Sequence, residues 1–435
     1  MATLNSLPKL EFESSPSSPT PWDVQAIAAR LKHAGVALRQ RPWQQRVQHL
    51  SDWLACWRAP SSPWCAQAVQ VLAQERGHHP DAVARALERL FEPYHPDALL
   101  AWMKRELVTP EGAGHPCSVW TAPELVGVIL AGNVPPPALQ SLLSCLLVGA
   151  PVFLKLSSEA PAFPQLLHAS LKHQDPLFYD SVAAEVWSGP AIQTDALLRQ
   201  VDVVQVYGGE ATVQAIRMRT PARTRVLEHG PRVSLTYLTR EALALAPQSR
   251  LADRVVEDLI LYEQQGCLSP HWIMVEESEA HSATELCERL QQALIRSVEY
   301  CPPAPLEESQ AAAQVQLKGV HAFLGTLYET SAGSICLERE GDLNLSCLGR
   351  LLLVRPVRDE HEAAQLLRPW RGLLQGLALE CPPERRMHLL ERFLPLGFSY
   401  LCRPGALQRP PASWPGDGRR SLAELVSWAV LGDEL

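Results

Sequence analysis

The spacing of apolar side chains divides the chain into two regimes. From Trp22 to about Ala113 they recur every three or four positions, as in DVQAIAARLKHAGVALRQ, WQQRVQHLSDWLACW and PDAVARALERLF. That is the period of helices that bury one face. From Pro123 short β-branched runs alternate with helical ones. Strands are predicted over residues 124–132, 151–156, 181–187, 201–207 and 223–227. Helices are predicted between them, over residues 138–150, up to about His173, and over 195–200 and 210–219. Strand, loop, helix, strand in this order implies right-handed crossovers and a parallel sheet. Ligands of such sheets sit at the carboxyl ends of strands, where Gly132, Ser157 and Gly208 fall. A second α/β region starts at Val233. It reads as a strand (VSLTYL), an apolar helix over 251–262, a strand (HWIMVEE) and a helix over 283–298. A surface connection over 301–320, a strand over 350–357 and a helix over 360–367 follow. After Pro395 the chain is rich in Gly and Pro and is predicted to end in a short helix.

Composition narrows the field. With 435 residues the chain is too long for one ordinary core. A net charge of −8 gives no general affinity for nucleic acid or anionic lipid. The longest apolar runs, 139–150 and 351–356, fall short of a membrane span. Residues 1–20 are rich in Ser and Pro and predict a disordered lead-in without the basic-then-apolar order of a signal peptide. Eleven scattered cysteines without a CxxC pair argue against a disulfide framework or a zinc site. They point to the reducing cytoplasm.

One stretch carries candidate chemistry. Residues 258–271 read DLILYEQQGCLSPH: a helical run breaks at Gln264-Gln265-Gly266 and Cys267 follows at once. Glycine permits a tight turn, and Pro270 keeps the helix from resuming. Backbone amides freed by such a turn would lower the thiol pKa and hold a developing oxyanion. Cys267 is thus a candidate nucleophile, with a buried structural cysteine as the alternative. The GxGxxG dinucleotide fingerprint is absent.

AGNVPPP (131–137), FLKLSSEAP (153–161), VYGGEATVQAI (206–216), LEHGPRVSL (227–235), DLILYEQQGCLSPH (258–271) and LLLVRPVRD (351–359) occur in one order and spacing. Together with RPPASWPGDGRRSLAELVSW (409–428), this set resembles the acyl-CoA reductase branch of the aldehyde dehydrogenase superfamily, typified by the bioluminescence fatty acyl reductase. The resemblance implies an α/β, aldehyde dehydrogenase-like fold. Its parts would be a helical N-terminal region (21–115), a Rossmann-type dinucleotide-binding domain (116–232) and an α/β catalytic domain (233–395). A C-terminal segment (396–435) would pack back or oligomerise.

The implied reaction is reduction of a fatty acyl thioester to an aldehyde through an acyl-cysteine on Cys267. The donor would be acyl-CoA or an acyl-carrier protein. Asn133 would supply its side-chain amide to the oxyanion beside the Cys267 amide, a donor worth on the order of 3 kcal/mol. A loop residue capping a helix is the alternative for Asn133. Lys155 would reach the adenosine ribose or its phosphate. With the hydroxyls of Ser157 and Ser158 it favours NADPH, whereas Glu159 favours NADH. Gly208 and Gly209 would let a helix N-terminus approach the pyrophosphate; an ordinary turn is their other reading. Glu228 stands where hydrolytic relatives carry a general base, and burial would be needed to tune it. His229 and His271 are alternative proton carriers. The glutamate that usually grips the nicotinamide ribose is missing from NLNLSCLGRLLLV, which leaves Arg350 as a candidate there. The resemblance also implies a homo-oligomer and a complex with an acyl-transferring partner. Rival functions are an oxidising aldehyde dehydrogenase, giving acid or acyl-CoA, and a non-catalytic acyl-carrying subunit.

Overall fold

The computed structural model describes residues 19–108, 118–245, 248–279 and 281–430. Nearly all of the lead-in, residues 1–18, lies outside them. Helices open the described chain: α1 (Pro21–Gln40), α2 (Trp43–Arg58), α3 (Pro63–Arg76), α4 (Pro80–Phe91) and α5 (Pro96–Leu107). The start of α1 is set by Thr20, whose hydroxyl accepts from the Asp23 amide while the Asp23 carboxylate accepts from the Thr20 amide. This reciprocal pairing satisfies donors that a helix start leaves open. The chain then forms two units, residues 1–75, 94–230 and 420–435 in one and 76–93 and 231–419 in the other.

In the first unit β1 (Ser118–Thr121) is followed by β2 (Val126–Ile129), α6 (Pro136–Val148), β3 (Val152–Leu156), α7 (Ala162–Gln174) and α8 (Pro176–Asp180). Then come β4 (Val182–Val186), α9 (Ile192–Leu198), β5 (Val203–Tyr207), α10 (Glu210–Arg219) and β6 (Arg225–His229). Strands β2 to β6 form a parallel sheet in the order β4-β3-β2-β5-β6. The chain steps outward from β2 to β4 and then crosses back to β5. Strand order therefore reverses between β2 and β5, the position at which open sheets of this kind take their ligands. Leu125, Ile129, Phe153, Val204 and Val206 feed a core that also takes Val24, Ala28 and Leu31 of α1.

The second unit holds β7 (Val233–Leu238), α11 (Arg240–Leu245), α12 (Gln248–Ile260), β8 (Pro270–Glu276), α13 (Ala283–Ser297) and α14 (Glu308–Phe323). It continues with β9 (Leu327–Thr330), β10 (Gly333–Leu337), β11 (Leu351–Val357), α15 (Glu360–Leu367), β12 (Leu374–Glu380), α16 (Pro383–Phe393) and β13 (Tyr400–Cys402). Its sheet runs β13-β12-β7-β8-β11-β10-β9, parallel except where β9 joins β10. Along β8, Trp272 and Met274 enter one core while Ile273 and Val275 enter the other. A strand covered on both faces reads as an unbroken apolar run for this reason.

Two expectations are corrected. The connection over 301–320 contains α14. Its buried residues are polar: Gln314 donates to the Leu348 and Gly349 carbonyls, and His321 Nδ1 lies 2.9 Å from Thr326 Oγ1. Val315, Val320 and Phe323 face solvent instead, so no inward apolar stripe marks the helix. The predicted closing helix is turns followed by β14 (Ser427–Val430), which pairs antiparallel with β1. A partner some 300 residues away decided the conformation there, over local periodicity.

Candidate active site

The geometry around Cys267 starts upstream. Helix α12 runs into a tight turn at Leu261–Gln264, in which Tyr262, Glu263 and Gln264 have φ of +55°, +52° and +62°. Left-handed backbone costs a residue with a side chain about 1–2 kcal/mol, so the three together cost roughly 3–6 kcal/mol. Buried polar contacts hold them. Glu263 forms a two-pronged ion pair with Arg350, with Nε donating to Oε2 at 2.8 Å. Arg350 Nη1 also donates to the Cys301 carbonyl at 2.9 Å. The Gln264 amide donates to the Pro270 and Leu351 carbonyls at 2.8 and 2.9 Å and accepts the Leu351 N–H at 2.9 Å. Helix end, β8 and β11 are thereby joined at one point. Gly266, expected to make the turn, does not have positive φ.

Cys267 follows at the amino edge of β8. Cys267 and Cys56 are the exposed free cysteines among the described residues. The Cys267 residue meets solvent, but the protein packed around it limits solvation of a negative sulfur. That crowding, and next the charge of Asp417, push the thiol up to about 12. The nearby backbone amides of Cys267 and Leu268, with Arg232, favour the charged sulfur and act in the opposite direction. The amides foreseen from the turn are present, but they do not dominate: the thiol is raised rather than lowered. Arg232 is itself paired with Asp417 at 2.6 Å.

In the first unit the predicted residues gather at the carboxyl edge of the sheet. Gly132, with φ +81°, ends the β2 segment; a Cβ there would lie 2.5 Å from Ser157 Cβ. Asn133 follows and is exposed. Lys155, on β3, is only 6% exposed, and burial pulls its pKa down. No carboxylate pairs with it among the described residues, although Glu185 is its register neighbour on β4. A buried ammonium without an anion fits a ribose hydroxyl or a phosphate. Ser157 is half-buried and Ser158 exposed. Gly208 packs on Thr212, with 3.1 Å from an ideal Cβ to that side chain, while Gly209, the N-cap of α10, faces open space and has no side-chain cap. The α10 N-terminus beside this opening suits the diphosphate of a nicotinamide dinucleotide.

The profile of the family described as acyl-CoA reductase (LuxC) matches residues 46–428. The chain belongs to that family. Long-chain acyl-protein thioester reductases of Aliivibrio fischeri and Vibrio harveyi are each 28% identical to it, over 162 and 145 residues. Those matches take in 35% and 32% of this chain, and the chain spans about a third of each relative, 32% and 30%. Among solved structures, an NAD-dependent benzaldehyde dehydrogenase from Corynebacterium glutamicum superposes with a TM-score of 0.72 at 14% identity, covering 96% of this chain and 91% of that one. A glyceraldehyde-3-phosphate dehydrogenase from Methanocaldococcus jannaschii in complex with NADP gives 0.71 at 13% identity, covering 96% and 95%. The fold is that of the aldehyde dehydrogenases, as the sequence motifs implied.

In this family member several side chains differ from expectation. Arg350 is 1% exposed and engaged by Glu263, so it is withdrawn as a ribose contact. Glu228 is half-buried and ion-paired with Arg217 at 3.3 Å, so it lacks the deep burial a tuned base would need. His229 stacks on Tyr207, with centroids 4.3 Å apart. His271 is pushed down to about 4 by burial and is a neutral imidazole at pH 7. Glu263, Gln264 and Ser234 were not singled out from the sequence. Apart from the Pro270 carbonyl bound by Gln264, their partners lie 33 to 142 positions away, and no local spacing reports them.

Proposed function

We propose that this acyl-CoA reductase family member reduces a long-chain acyl thioester, from CoA or a carrier protein, to an aldehyde, with Cys267 as the nucleophile. The observation that carries the reading is a cysteine that meets solvent just after a fixed, strained turn, with backbone amides near its sulfur. The Cys267 sulfur bonds to the acyl carbon, and the C–S bond to the donor breaks. The thiol proton leaves with the donor sulfur, so no external base is consumed over the step. The Cys267 amide would stabilise the charge on the carbonyl oxygen, with the Asn133 side chain as the further donor proposed for it. A reduced nicotinamide, when bound, supplies a hydride to the acyl-cysteine carbonyl. The thiohemiacetal on Cys267 then collapses to aldehyde and free thiol.

Lys155 would hold the adenosine ribose phosphate with Ser157 and Ser158, which favours NADPH over NADH. The Gly208-Gly209 turn and α10 would receive the diphosphate. Glu228 remains the reading's candidate proton carrier for the product oxygen. The unpaired cysteines suit a cytoplasmic protein, and the exposed Trp428 and Val430 of β14 suit a homo-oligomer. The test is turnover of purified protein with NADPH and acyl-CoAs of graded length. Aldehyde should form in step with NADPH loss, and Cys267→Ala should abolish both. NADPH loss without aldehyde, or turnover retained in Cys267→Ala, would refute it. Acid formed from aldehyde and NADP⁺ without CoA would favour the oxidising alternative.

A further inference from the structure

Resting on the reading of Cys267 as the nucleophile, we propose that Ser234 is a positioning residue for its thiol. The Ser234 hydroxyl ties the Cys267 carbonyl to the backbone of β12 and so turns the Leu268 amide toward the sulfur. Ser234 lies fully buried near the start of β7. Its Oγ donates to the Cys267 carbonyl at 2.8 Å and accepts the Gly376 N–H at 2.9 Å. Hydroxyl donor and acceptor are thus both used between two backbone groups.

The sheet is irregular at this point. Pairing of β12 with β7 slips between Leu374 and Leu377, and pairing of β7 with β8 slips between Ser234 and Leu235. A regular ladder would consume the Gly376 amide; the slip releases it for the serine. Gly376 also leaves the room. A Cβ there would stand 2.7 Å from Ser234 Oγ and 2.9 Å from Leu268 Cδ2. Such a side chain would expel the hydroxyl from its place.

The consequence at Cys267 follows from peptide planarity. The Cys267 carbonyl and the Leu268 N–H belong to one trans peptide and point in opposite directions. Anchoring the carbonyl on Ser234 fixes the N–H on the other side, and this amide favours the charged form of the sulfur. Ser234 touches no reacting atom. It acts through the peptide that follows the nucleophile.

The experiment compares wild type, Ser234→Ala and Ser234→Thr. Iodoacetamide is applied at pH 9, and alkylation of Cys267 is followed by peptide mass against the exposed Cys56 as internal reference. Ser234→Ala should slow Cys267 about tenfold relative to Cys56, the effect of one lost hydrogen bond to charge. Its kcat should fall with little change in KM for NADPH. Ser234→Thr, which keeps the hydroxyl, should stay near wild type. An unchanged Cys267 to Cys56 ratio in Ser234→Ala, or equal losses in Ala and Thr, would overturn the proposal. Acylation of wild type by palmitoyl-CoA is measured alongside. If Cys267 takes no acyl group, the functional reading fails, while the alkylation ratio still decides the role of Ser234.

Discussion

Glu263→Gln tests whether the turn ahead of Cys267 is held by its ion pair. The substitution keeps size and shape and removes one charge. The Arg350 side chain is 1% exposed and that of Glu263 8%, so little solvent would screen the guanidinium left behind. Breaking a buried pair from one side costs about 3–5 kcal/mol. The same turn carries roughly 3–6 kcal/mol of left-handed backbone cost that these contacts must offset. Against a typical total stability of about 5–15 kcal/mol, the loss should be plain in urea unfolding followed by tryptophan fluorescence. Cys267 acylation should slow in parallel, because the turn that presents the sulfur loses its anchor. A second variant separates strain from charge. Glu263→Gln combined with Arg350→Met removes the orphan cation and should be less destabilised than Glu263→Gln alone. If Glu263→Gln unfolds within about 1 kcal/mol of wild type and acylates normally, the reasoning is refuted.

Three further outcomes are expected. Because Cys267 is pushed up to about 12, its thiolate fraction rises about tenfold per pH unit, so iodoacetamide alkylation should climb steadily from pH 6 to 9; a plateau below pH 8 would contradict the raised thiol. Burial raises Asp258 to about 8 against the opposing Gly405 and Leu407 amides, so its protonated form is favoured in the fold. That contribution is full below the unfolded value of about 4 and lost as pH rises through 8, so wild-type stability measured against Asp258→Asn should decline from pH 5 to 8, and a flat difference would count against it. Lys155→Ala should raise KM for NADPH by about tenfold or more while leaving Cys267 acylation by acyl-CoA unchanged; an unaltered KM would remove Lys155 from cofactor binding.

Much of the scaffold was legible because parallel strands buried on both faces are largely apolar runs, interrupted only by Lys155 in residues 151–156 and by Arg355 in 351–357. The cofactor-side candidates lie within or just after such runs. Helix α14 was hidden because its inward side chains are Gln314 and His321. The setting of Cys267 was hidden more deeply. The turn looked like the work of Gly266, whereas three side-chain-bearing residues take the left-handed backbone, held by Arg350 from 87 positions away. The amides near the sulfur were foreseen, but protein crowding and Asp417 outweigh them, and neither leaves a mark on local sequence.

The central claim is that Cys267 carries the acyl group between donor and hydride. Intact-mass measurement tests it directly: protein is mixed with palmitoyl-CoA, the mass is recorded, and NADPH is then added. The account predicts a single palmitoyl adduct that maps to Cys267 and disappears on NADPH addition as hexadecanal forms. An adduct at another cysteine, no adduct while aldehyde still forms, or a Cys267 adduct that NADPH leaves in place would contradict it.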